Sequence, residues 1–195
     1  MLNEELTDVN HHITDLLKKD PFPEGIQPDY LREGVNAYPA RGGKRMRPAL
    51  AAWFCGAVGG NPEKTFHAGK AIELYHNWTL IHDDIIDGDA TRRNGPSCHK
   101  LLQQRLQARP HAGKETDTAR EGEHFALLAG DILHGWSVNA LLTMPGDCCD
   151  VSVSQLLAQR LTGWVTPQLI SGEALDVALE SKSEVTPEEI EEMLF

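Results

Sequence analysis

An all-α fold is what this sequence predicts, because apolar residues recur at helical spacing nearly everywhere and runs of alternating β-branched residues are few. Glycine, proline and polar clusters cut that pattern into segments of ordinary helix length. No internal repeat or low-complexity tract interrupts it. With 195 residues, 41% hydrophobic and 24% charged, the chain suits one packed core, and residues 1–195 are expected to form a single helical domain.

Read between breakers, the helices fall near 2–19, 28–38, 45–58, 62–88, 97–108, 117–143 and 150–181, with a last one starting after Thr186-Pro187. The stretch from Ala108 to Thr118 holds Pro110, Gly113, Lys114, Glu115 and Asp117 with little apolar content and reads as a surface loop. Met144-Pro145-Gly146-Asp147 is a second turn. The last helix has a Thr186 cap, Pro187 at its first position and acids in its first turn. It stops on Met193, Leu194 and Phe195 without a closing glycine or basic residue, so the natural chain is expected to continue.

Eighteen Lys plus Arg against 29 Asp plus Glu leave a net charge of -11, which argues against a general nucleic-acid binder. Any phosphate site must therefore be a local basic island. The longest nearly apolar stretch, Ala49 to Gly60, is shorter than the ~18–20 residues of a membrane-spanning helix, so no membrane span is expected. Leu2-Asn3-Glu4-Glu5 does not resemble a secretory signal, and a cytoplasmic location is the simplest expectation. Cys55, Cys98, Cys148 and Cys149 form no CxxC pair and are expected to be reduced, structural thiols.

The run His76-Asn77-Trp78-Thr79-Leu80-Ile81-His82-Asp83-Asp84-Ile85-Ile86-Asp87 carries three carboxylates inside an otherwise apolar helix. Asp83 and Asp87 are four apart, so like charges meet on one face. They also sit near the helix C-terminus, whose partial charge disfavours anions, and burial would add a desolvation penalty. These costs fall away if a divalent cation occupies the face, and an oxygen-only ligand set favours Mg²⁺ over zinc. Because Mg²⁺ usually takes one or two carboxylates plus phosphate oxygens, the implied ligand is a diphosphate. The bland alternative is three solvated acids at a helix end.

His76, Leu80, Asp83 and Asp87 follow the i, i+4, i+7, i+11 spacing of one helical stripe, so His76 lies two turns below Asp83, able to donate to a second anion. After the acids, Arg92 and Arg93 stand side by side on an irregular segment, where each can clamp a phosphate from opposite sides. Upstream, Arg41-Gly42-Gly43-Lys44-Arg45-Met46-Arg47-Pro48 gathers four of the eighteen basic residues. Its glycines permit close backbone approach, the following helix start offers free N–H groups, and Lys44 and Arg47 can share a face.

Together these stretches resemble the trans-polyprenyl synthases, the polyprenyl synthetase family that includes farnesyl and geranylgeranyl diphosphate synthases. The resemblance rests on Gly42 to Pro48, on the His76-to-Asp87 run with its DDxxD motif, and on Arg92-Arg93 with Pro96. Weaker echoes are Leu128-Ala129-Gly130-Asp131 and Ile170-Ser171-Gly172-Glu173-Ala174-Leu175-Asp176. The resemblance implies the isoprenoid synthase helical bundle, a homodimer, and a Mg²⁺-dependent prenyltransferase of isoprenoid biosynthesis. It implies that Asp83 and Asp87 bind Mg²⁺ bridging an allylic diphosphate, with Asp84 in support and Arg92 on the same diphosphate. Lys44, Arg47, His76 and Arg93 would hold isopentenyl diphosphate. The allylic C–O bond then ionises, the isopentenyl double bond attacks the cation, and the released diphosphate takes up the proton. Trp78, five residues before Asp83, and its neighbour Thr79 would floor the product tunnel, which implies products of about C15 to C20.

The sequence departs from the family's pattern, and its loop from Ala108 to Thr118 is longer than the resemblance implies. The second aspartate-rich motif and the Lys-Thr pair expected just beyond Phe195 are absent, so the bundle is expected to be truncated before its second aspartate-rich helix, and this chain alone is expected not to elongate prenyl chains. Glu173 stands where the family usually has Gln, and Asn94 replaces a Gly. The rival readings are a non-catalytic regulatory or scaffold subunit of a prenyl synthase and a helical metal phosphohydrolase suggested by His82-Asp83. The latter gives no reason for the basic glycine turn. A terpene cyclase of related fold leaves Lys44, Arg47 and His76 without a second diphosphate to bind.

Overall fold

Helical periodicity is realised along nearly the whole chain. The structure, a computed structural model, describes residues 2–110 and 114–194. Among these, the helices are α1 (Leu2–Lys18), α2 (Asp29–Ala40), α3 (Met46–Ala57), α4 (Phe66–Ile86), α5 (Cys98–Gln107), α6 (Glu115–Leu142), α7 (Val151–Arg160), α8 (Thr166–Glu180) and α9 (Pro187–Leu194). Each expected helix is present within a few residues of its expected limits, except that the one expected over 150–181 is divided into α7 and α8. Part of the Ala108–Thr118 loop, residues 111–113, lies outside the described residues, and α6 begins at Glu115, inside the stretch read as loop.

The chain divides into two compact units, Met1–Cys149 and Asp150–Phe195. In the first, α4 and α6 form the centre. Leu74, Tyr75, Trp78 and Ile81 of α4 are buried, as are Ala126, Ala129, Leu133, Trp136 and Ala140 of α6, whose spacing keeps one stripe inward. Ile13 of α1, Val35 and Tyr38 of α2 and Leu102 of α5 complete the core. Small residues let the two long helices approach closely. A Cβ on Gly130 would lie 2.3 Å from His82 Nε2, a separation only glycine avoids.

Helix α6 also corrects one expectation. Among the described residues, Asp117–Leu142 is a helix long and apolar enough to cross a membrane by length and composition alone. The apolar window of this helix is 44% buried inside the fold.

A buried ion pair ties the ends of this unit together. Lys70 Nζ reaches Asp20 Oδ2 at 2.7 Å, Trp136 Nε1 donates to the same oxygen at 3.1 Å, and the Phe22 N–H donates to Oδ1 at 3.0 Å. Burial pushes the Asp20 carboxyl up, but these donors outweigh it and hold the group below its usual range.

Two local features were not anticipated. A short antiparallel hairpin, β1 (Thr91–Arg92) with β2 (Gly95–Pro96), pairs Thr91 with Pro96 and Arg92 with Gly95. Arg93 and Asn94 form its turn at φ 51° and 59°, the doubly left-handed conformation that matches strand twist. In the second unit, the segment read as one helix over 150–181 is broken by a π-helical turn, Leu161–Val165, between α7 and α8. Pro167 has no N–H to continue the ladder, and Thr166 Oγ1 donates to the Leu161 carbonyl at 2.8 Å across the wide turn. Within this unit α8 and α9 bound a cavity of about 500 Å³ lined by Trp164, Leu169, Glu173, Asp176 and Met193 among others.

Candidate functional site

The last turn of α4 gathers the acids. Gly88, at φ +71°, ends the helix, and the N–H groups of Asp87 and Asp89 return to the carbonyls of Asp83 at 2.8 Å and Asp84 at 2.9 Å. This closure holds all four aspartates of residues 83–89 around one helix end. Their environments differ sharply. Asp83 is 36% exposed and Asp87 is exposed, whereas Asp84 is completely buried.

Asp84 is buried because its charge is fully engaged. The Tyr38 hydroxyl on α2 donates to Oδ2, and Arg92 Nε donates to Oδ1 at 2.6 Å. Tyr38 is itself fixed by the Cys98 N–H, which donates to its hydroxyl at 2.8 Å. Burial pushes both neighbouring groups off their usual ranges, Tyr38 upward and the Cys98 thiol up to about 12, so neither ionises near neutral pH.

Asp83 behaves as helical spacing demands. Burial pushes its carboxyl above the usual range, Asp87 on the next turn pushes it further, and Arg92 only partly offsets them. Arg92 Nη2 stands 3.1 Å from Asp83 Oδ2 and 3.1 Å from Asp89 Oδ2. One guanidinium thus contacts three aspartates with a single positive charge, which leaves a surplus of negative charge at Asp83 and Asp87, open to solvent. Among the described residues no three His, Cys, Asp or Glu side chains converge to enclose a metal. Two accessible oxygen ligands that repel each other are nevertheless the donor set Mg²⁺ accepts when phosphate oxygens and water fill the rest of its shell.

The second arginine of the hairpin goes to the other side. Arg93 Nη1 donates to the carbonyls of Tyr38, at 2.9 Å, and Gly42, and Nη2 lies 3.3 Å from Glu73 Oε1. Gly43 makes room for it, since a Cβ there would meet the guanidinium carbon at 3.2 Å. The basic turn therefore wraps this side chain. Lys44 and Arg47 are exposed on this turn, and His76 is half-buried. Burial, and then the Arg47 guanidinium, push the His76 imidazole down to about 4, with Arg93 and Arg45 adding to the effect and Glu73 opposing it. His76 is thus neutral near pH 7 and faces a cationic corner as a neutral donor.

The structure brings Arg47 and Arg93 close to His76 at one corner, with Lys44 exposed on the same basic turn, and Asp83, Asp84, Asp87 and Arg92 at another, the two joined through consecutive hairpin residues. Trp78 closes the space between α4 and α6, its ring 5.0 Å from Tyr75 and 4.7 Å from His134. The adjacent Thr79 spends its hydroxyl on the His76 carbonyl at 2.8 Å. His82, the residue behind the phosphohydrolase reading, packs against Trp78 and reaches the Leu127 carbonyl at 3.4 Å on α6. Tyr38 and Glu73 were not singled out from the sequence, and Arg41 and Arg45 were read only as members of the basic turn. Tyr38 donates its hydroxyl to Asp84 and offers its carbonyl to Arg93, Glu73 also accepts from Arg93, Arg41 donates to the Pro96 carbonyl under the hairpin, and Arg45 is buried rather than part of the exposed island. A buried Glu within an apolar helix stripe was the one available signal for Glu73.

The sequence matches the Polyprenyl synthetase family over residues 28–195. The chain belongs to this family. A short chain isoprenyl diphosphate synthase of Methanothermobacter thermautotrophicus is 35% identical over 87% of this chain and 45% of its own length. A geranylgeranyl pyrophosphate synthetase from Geoglobus acetivorans superposes with a TM-score of 0.76 at 28% identity, covering 98% of this chain and 53% of that one. A geranylgeranyl pyrophosphate synthase from Corynebacterium glutamicum, complexed with isoprenyl diphosphate and magnesium, superposes at 0.73 and 25% identity over 99% of this chain and 55% of its own. This polyprenyl synthetase chain spans about half the length of the relatives it matches.

Proposed function

We propose that this chain carries the two diphosphate corners of a short-chain prenyl diphosphate synthase, which condenses isopentenyl diphosphate with an allylic diphosphate. The observation that carries the reading is the divided hairpin: Arg92 turns to an aspartate cluster and Arg93 to a cationic corner, so two diphosphates can be held side by side. Similarity to geranylgeranyl diphosphate synthases supports products of about C15 to C20. We read residues 1–195 as parts of one isoprenoid synthase domain, since the family match runs through both compact units. A cytoplasmic homodimer is the assembly this family resemblance supports.

In this reading Asp83 and Asp87 hold Mg²⁺, which supplies positive charge to the allylic diphosphate when bound. Arg92, already held by Asp84, shares its remaining contacts with the same diphosphate. Lys44, Arg47 and Arg93 bind the phosphates of isopentenyl diphosphate, and neutral His76 donates one N–H to them. The buried Trp78 side excludes water from the reacting carbon chain. Titration of Mg²⁺ with a bisphosphonate into the chain tests the metal corner. The heat is expected to vanish in Asp83→Ala, and undiminished binding would reject the assignment.

A further inference from the structure

Helix α4 buries two carboxylates, and only Asp84 belongs to the aspartate motif. The other is Glu73, 2% exposed and three turns earlier. Its Oε1 takes Arg45 Nη1 and lies 3.3 Å from Arg93 Nη2. Arg45 side-chain exposure is zero, and its Nη2 donates to the Pro39 carbonyl at 2.9 Å, so Arg45 belongs wholly to the interior. Arg93 is different. It spends both Nη1 hydrogens on the Tyr38 and Gly42 carbonyls and one Nη2 hydrogen on Glu73. A guanidinium has five N–H donors. Nε and the second Nη2 hydrogen therefore remain available to an anion among the described residues, and the three fixed bonds leave the group little freedom to turn.

We propose that Glu73 is a positioning residue for diphosphate binding: shared between Arg45 and Arg93, its carboxylate fixes which edge of the Arg93 guanidinium faces the corner formed by Lys44, Arg47 and His76. This rests on the reading of that corner as a diphosphate site. The sign of its effect separates positioning from simple electrostatics. A negative charge beside a site for a polyanion opposes binding, so its neutralisation by itself would tighten binding. If the carboxylate acts by aiming Arg93, the same substitution weakens binding, because an unheld guanidinium must be ordered when the anion arrives.

The test is calorimetric titration of inorganic pyrophosphate, without metal, into the 195-residue chain and its variants, with folding checked by circular dichroism. Arg93→Ala is expected to weaken binding by about tenfold or more, the size of one charged hydrogen bond. Glu73→Gln is expected to weaken it by about tenfold as well, and to add nothing further in the Arg93→Ala background. If Glu73→Gln does not fold, Glu73→Asp replaces it, since this keeps the charge and withdraws it by one methylene. Binding that is unchanged or tighter in the Glu73 variant, or a Glu73 effect that persists without Arg93, overturns the proposal while leaving the corner intact. Undiminished binding in Arg93→Ala instead rejects the corner itself and the proposal with it.

Discussion

Adjacent aspartates should give opposite results when each is made neutral. Asp84→Asn removes the charge that receives the Tyr38 hydroxyl and Arg92 Nε in a site without solvent, and the new amide can accept from only one of them. One charged hydrogen bond is worth about 1.5–3 kcal/mol, and facing two donors adds to the loss, so we expect a cost of about 2–4 kcal/mol. At this chain length that lowers Tm by roughly 5–15 °C. Asp83→Asn instead removes a half-exposed carboxyl whose pKa is raised by burial and by Asp87. A folded-state pKa above the unfolded one means the charged form is the strained one, so this carboxyl costs stability at pH 7 and the cost fades as pH falls below its folded pKa. Asp83→Asn should therefore leave Tm unchanged or slightly raised. Mg²⁺ with pyrophosphate reverses the ranking. At free ligand a hundredfold above Kd, wild type gains about 2.7 kcal/mol, and Asp83→Asn should lose that gain. Thermal melts by circular dichroism with and without the ligands measure both effects. If Asp84→Asn melts no lower than Asp83→Asn, the division of labour drawn from their burial is wrong.

Three further outcomes follow from the same geometry. Arg45→Met should cost about 3–5 kcal/mol in urea unfolding, because it leaves the Glu73 carboxylate buried with its main partner gone; a loss below about 1 kcal/mol, the range of a surface pair, would contradict the buried pairing. His76 titrates near 4 in the free protein, so between that value and the ordinary histidine range of about 6.5 a bound diphosphate should draw a proton onto it. Calorimetry at pH 5.5 in buffers of different ionisation heat should show proton uptake that disappears in His76→Gln, and buffer-independent heats in wild type would refute it. If the proposed prenyl transfer holds, Trp78→Ala in a full-length family protein carrying this segment should lengthen the products seen by chromatography, since it opens the space between Tyr75 and His134; unchanged product length would reject Trp78 as the floor.

The helical order, the acidic helix end and the basic glycine turn were legible because each is local. Periodicity of 3.6 reports a helix directly, four-residue spacing places Asp83 over Asp87, and Gly42-Gly43 announces a left-handed turn. The hairpin was less visible because its strands are two residues each, too short to show alternation, and its signal was only Asn94-Gly95. The π-helical turn at Leu161–Val165 was masked because apolar spacing continues through it.

By itself the sequence determined which acidic and basic residues were available to a site and along which helix they lay. Which of them are free to do so was decided only by tertiary packing. Asp83 and Asp84 are neighbours with the same side chain, yet one faces solvent and the other is sealed under Tyr38 from a helix 46 residues away. Likewise Arg45 and Arg47 sit in one basic run, and only Arg45 is drawn inside by Glu73. A buried charge must find its partner, and in a fold those partners come from distant segments that no local pattern can name.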